Sequence, residues 1–125
     1  MSLKTEADAE KLEKLIRQLH GLHSEISLLA KKSPNDAVNA FKLKFINKVL
    51  QAGNEVLGDT YKPFADFSLF ELDDLPSNSD VTVVLTQYIQ EAEGYKLNNI
   101  VYSDHQLVYK VNDSPSKIVT NRPRE

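Results

Sequence analysis

Cysteine and tryptophan are both absent from the 125 residues, and methionine occurs once. Without cysteine there is no thiol nucleophile, no iron–sulfur cluster, no thiolate zinc site and no disulfide. Glycine is sparse as well. Gly21, Gly53, Gly58 and Gly94 are scattered, so they build neither a Walker loop nor a Rossmann phosphate turn, which argues against most nucleotide-dependent enzymes. No Gly-x-Ser-x-Gly elbow accompanies the serines and the three histidines, His20, His23 and His105. No apolar run approaches the roughly 18 residues needed to span a bilayer. The first thirteen residues alternate acids and lysines where a signal peptide would be apolar. A cytoplasmic protein with no membrane contact is the expectation, and on that basis the glycosylation-like triplet Asn112-Asp113-Ser114 is read as chance.

What is present suits one folded domain. Hydrophobic residues make up 41% of the chain and charged residues 26%, a globular balance. Fifteen bases face eighteen acids for a net charge of −3, too little positive charge for a wholesale grip on nucleic acid. The distribution is uneven. Residues 1–54 carry a net +3, residues 55–93 a net −8, and residues 94–125 a net +2.

Apolar residues at Leu12, Leu15, Leu19, Leu22, Ile26 and Leu29 follow a 3-4-3-4-3 spacing, the seam of a bundle helix. The pattern predicts a helix over 5–31, with acids in its first turn and Lys31 and Lys32 in its last, as the helix dipole favours. Ser33-Pro34-Asn35-Asp36 has the form of a stop and restart, with Ser33 as cap and Pro34 at the first helical position. A second helix is therefore predicted over 34–57, ending at Gly58, with two apolar stripes that need more than one neighbour. The short connection makes the first two helices an antiparallel hairpin about 35–40 Å long.

Between 59 and 78 the period breaks into an aromatic loop with Phe64, Phe67 and Phe70 and one short helical turn. Ser77 or Ser79 caps a third helix over 79–96, and two β-prone runs over 99–111 suggest a small hairpin. The reading is a mainly α protein: one helical domain over 1–113, a three-helix bundle with that hairpin at its end, and a tail over 114–125.

Three groups of residues bear on chemistry. His20 and His23, three apart on a helix, share a face and are the candidate metal ligands, although no third ligand is fixed by spacing. Asp66, Glu71, Asp73, Asp74 and Asp80 offer oxygen ligands or an acid–base pair, but in no EF-hand order. Lys42, Lys44 and Lys48, with Lys31 and Lys32, oppose only Asp36 around the hairpin tip. Such a tip suits phosphates or an acidic surface such as the 66–80 segment of a second copy. It holds no arginine and no interleaved stacking aromatics, so nucleic-acid binding there would be weak and backbone-directed.

The leading expectation is a non-enzymatic helical interaction or regulatory module without cofactor. It would pair with itself as a homodimer, or with another protein, through the Leu12–Leu29 seam and the second helix. The alternatives are a monomeric bundle, a nucleic-acid accessory protein using the lysine tip, and a metal-dependent hydrolase using His20 and His23.

Overall fold

The computed structural model describes residues 2–122. Three helices, α1 (Glu6–Lys32), α2 (Ala40–Tyr61) and α3 (Asn78–Leu97), precede three strands, β1 (Ile100–Ser103), β2 (Gln106–Val111) and β3 (Ser114–Val119). The protein is mainly α, and its sheet is larger than the predicted hairpin.

α1 begins where the Thr5 side chain accepts a hydrogen bond from the Asp8 N–H at 3.0 Å, leaving Glu6 and Asp8 in the positive first turn. The predicted bounds hold to within a residue. α3 is capped in the same way: the Ser77 hydroxyl oxygen accepts from the Asp80 N–H at 3.1 Å.

α2 departs from expectation at its start. Residues 34–38 are not helical, and Ser33 caps the C-terminus of α1, its N–H donating to the Leu29 carbonyl. The reason is a competing demand. The first turn of α3 exposes N–H groups with no intrahelical partner, and the Asp36 and Pro34 carbonyls accept from Asn78 and Ser79 at 2.9 and 3.1 Å. Residues 34–36 therefore form a turn, closed by the Asp36 N–H donating to the Ser33 carbonyl at 3.2 Å, in place of a first helical turn. Asn39, not Ser33, caps α2, accepting from the Lys42 N–H at 2.8 Å.

The end of α2 is also modified. Gly58 adopts φ 61 and ψ −169, a region only glycine occupies freely, and one further turn follows to Tyr61.

Side-chain pairs set the helix directions. Glu25 meets Lys42, and a Cβ on Gly53 would lie 3.4 Å from Leu15, so α1 and α2 are antiparallel. Tyr88 meets Asn54 and Tyr95 stacks on Tyr61 at 4.5 Å, so α3 runs parallel to α2. The aromatic loop supplies the return. It passes Asn54 at Ser68, Asn47 at Phe70 and Val38 at Pro76, with one 3₁₀ turn at Leu72–Asp74. Leu12, Leu19 and Ile26 of α1, Ile46 and Leu50 of α2, and Leu85 and Tyr88 of α3 form the buried centre.

The strands form an antiparallel meander in the order β1-β2-β3. Asp104 and His105 in the first turn, and Asn112 and Asp113 in the second, all have positive φ, the geometry of two-residue type I′ turns. The supposed tail therefore folds back as β3 over 114–119, while residues 123–125 of that predicted segment lie outside the described residues. Tyr109 of β2 is fully buried against the helices, which anchors a sheet too small to stand alone. The N-terminal segment ties in too, the Asn112 N–H donating to the Leu3 carbonyl at 2.9 Å.

Candidate functional site

The face shared by α1 and α2 is open. The Gly53 and Ile46 side of α2 is buried, but the outer side of the interface leaves a groove of about 570 Å³. Its floor is apolar, from Leu15, Val49, Ala52, Val56 and Tyr95. Its rim is cationic: Lys4, Lys11, Lys14 and Lys48 stand around it, opposed by Asp8 and Glu55.

Helix geometry extends this face. Phe45, Val49, Ala52 and Val56 recur at intervals of four, three and four, so they share one side of α2, with Phe41 a turn before them. Phe41 is 71% exposed and Phe45 48% exposed, their rings in edge contact at 4.9 Å. On α1, Leu22 and Leu29 continue the Leu15 side at intervals of seven and are half-buried. Two phenylalanines held in water at the end of an apolar groove are costly for an isolated domain.

The predicted seam divides in two. Leu12, Leu15, Leu19 and Ile26 are buried within this chain, although Leu15 also forms part of the groove floor. The physical reason is α3, on which α1 packs most extensively; Leu15 lies beside Gly53 of α2. Only Leu22 and Leu29 of the seam remain half open.

The lysine tip is divided as well. Lys42 pairs with Glu25 at 2.9 Å, Lys48 stands 5.8 Å over the Phe45 ring at the groove rim, and Lys44 is exposed.

His20 and His23 go to different partners. His20 Nε2 donates to Glu93 Oε1 at 2.9 Å. The Thr86 hydroxyl donates its one proton to the Thr82 carbonyl, so it accepts from His23 Nε2 at 3.0 Å. Among the described residues no group of three or more histidines and acids is placed to hold a metal ion.

Behind α1 lies a polar cluster the sequence analysis did not find. Lys96, only 4% exposed, donates to Glu13 Oε1 at 3.3 Å, and the Thr120 hydroxyl donates to Glu13 Oε2. With His20 and Glu93 these groups line a small cleft of about 310 Å³. The Tyr109 hydroxyl is buried beside them without a hydrogen-bond partner among the described residues. Burial first, and the negative Glu13 second, hold that hydroxyl well above the ordinary tyrosine pKa. The cluster fastens α1 to α3 and to the end of β3. Its signal in the sequence is that Glu93 and Lys96 alternate with Ala92 and Tyr95 on the apolar face of α3, where a charge needs a buried partner.

No family model, curated protein or solved structure matches this chain. No helix among the described residues is long and apolar enough to cross a membrane.

Proposed function

We propose that this protein is a non-enzymatic helical interaction module that self-associates through the face α1 and α2 share. The observation that carries this reading is the apolar groove continued by Phe41 and Phe45, which leaves two large rings in water beside a cationic rim. Aromatic residues at the centre of an apolar patch are the usual anchors of protein interfaces. Of the seam residues of the sequence analysis, Leu15 lies in the floor of this surface and the half-buried Leu22 and Leu29 continue it, with Lys48 at its edge.

Light scattering on a sizing column, repeated across protein concentrations, tests the reading. The wild-type chain shifts to larger species as concentration rises. The variant carrying Phe41→Ser and Phe45→Ser stays monomeric with an unchanged helical circular dichroism signal, because neither ring is part of the buried core. A wild-type chain that remains monomeric throughout the micromolar range overturns it.

A further inference from the structure

We propose that the groove receives the acidic 66–75 segment of a second copy of this chain, docked head to tail. The inference rests on the self-association reading and names the surface that fills the groove.

The two surfaces match in charge. The groove rim holds four lysines against Asp8 and Glu55, a net positive lining. The 66–75 segment carries Asp66, Glu71, Asp73 and Asp74 with no base at all. Opposed fields of this kind steer encounter and fix the register of docking.

They also match in apolar character. Leu69, Leu72 and Leu75, three residues apart among those acids, are all exposed, Leu75 at 67%. A leucine–acid strip fits a lysine-rimmed apolar trough better than bulk solvent does.

The segment is held ready for a partner. Asn47 exchanges two hydrogen bonds of 2.9 Å with the backbone of Phe70, and Asn54 donates to the Ser68 carbonyl at 2.9 Å. The 3₁₀ turn Leu72–Asp74 follows, and Leu75 closes it at φ 48. Preorganisation of this kind lowers the ordering cost of binding.

Geometry keeps a chain from filling its own groove. Residues two apart on a helix point about 200° from one another. Asn47 is two residues from both Phe45 and Val49, and Asn54 two residues from both Ala52 and Val56. The loop that carries the acids therefore lies on the side of α2 away from the groove, with the helix between them. One copy presents the groove on one side and the segment on the other. Such a pairing is heterologous, so it leaves a free groove and a free segment at its two ends and continues beyond the dimer.

Charge reversal tests the pairing. Lys11→Glu with Lys14→Glu makes the groove acidic; Asp73→Lys with Asp74→Lys makes the Leu72–Leu75 turn basic and leaves the whole 66–75 segment neutral. All four positions are exposed, so folding is retained and is checked by circular dichroism. Each double variant alone should associate roughly tenfold or more weakly than wild type. Mixing the two double variants, or combining all four substitutions in one chain, should restore association, because opposite charges again face each other. A wild-type chain that is monomeric overturns this pairing together with the self-association reading. Self-association that survives both double variants overturns the pairing alone. Loss in both variants without rescue in the mixture or the fourfold variant also rejects it.

Discussion

Asn47 and Phe70 exchange two hydrogen bonds of 2.9 Å each, the side-chain amide of α2 pairing with the backbone N–H and C=O of the aromatic loop. A single amide thus does for the loop what a neighbouring strand does in a sheet. Phe70 is held in edge contact with Phe67 at 5.1 Å, and the acids that follow begin from a fixed point.

Asn47→Ala removes both bonds at once. The loop backbone at Phe70 is half-buried, so the cost should be about 1–3 kcal/mol in unfolding free energy. Hydrogen exchange of the 66–72 amides should quicken more than that of α1. Uniform quickening across the chain would show that the pair supports the whole core instead.

The glycines should separate by conformation. Gly58 sits at φ 61 and ψ −169, so Gly58→Ala should cost about 1–3 kcal/mol. Gly21 and Gly94 lie inside regular helices, and a Cβ at either would meet nothing within 4 Å. Gly21→Ala and Gly94→Ala should each stabilise by about 0.5–1 kcal/mol. Denaturant midpoints measure all three, and a stabilising Gly58→Ala would contradict the backbone geometry.

Glu13 and Lys96 should respond unequally. The Lys96 side chain is 5% exposed and that of Glu13 25%. Lys96→Met leaves a carboxylate that water can reach, at about 1–3 kcal/mol. Glu13→Leu strands a buried ammonium and takes the Thr120 acceptor with it, at about 3–5 kcal/mol. The double variant should be more stable than Glu13→Leu alone. Equal single-variant losses in chemical denaturation would refute this ordering.

Tyr109 sets an alkaline limit. A tyrosine in an unfolded chain ionises near pH 10, whereas burial and Glu13 keep Tyr109 protonated to higher pH. The unfolded state therefore releases its proton first. The stabilising contribution is complete below about pH 10 and declines as pH rises beyond it. Burial shifts Tyr88 and Tyr95 in the same direction, so Tyr109→Phe should reduce the alkaline loss without abolishing it. At neutral pH the substitution should be neutral or slightly stabilising, since the hydroxyl has no partner to lose among the described residues. Melting temperatures between pH 7 and pH 11 would show both effects, and an unchanged alkaline slope would argue against the burial account.

α1, α3 and the aromatic loop were legible because their signals are local. A cap at Thr5 or Ser77 acts on N–H groups three residues away, and the leucine seam repeats every turn. The start of α2 was not legible. Ser33-Pro34-Asn35-Asp36 carries every mark of a helix N-terminus, yet its carbonyls are taken by Asn78 and Ser79, more than forty residues on. The third strand was hidden for a different reason. Pro115 argues against a strand, and only the place of β3 at the sheet edge makes it tolerable. Asn112-Asp113, read as part of a chance glycosylation triplet, is the turn that creates that edge.

By itself, then, the sequence determined α1, α3 and the body of α2, the segregation of charge and the exclusion of thiol chemistry, because each depends on residue type or on neighbours within a turn or two. Tertiary structure alone decided which apolar stripe closes and which stays open. It buried Leu12, Leu19 and Ile26 under α3, left Phe41 and Phe45 in water, and joined Glu13 to Lys96 and Thr120 across 83 and 107 residues. Periodicity marks a face as apolar but does not say what covers it. That is settled when all the apolar faces compete for the same core.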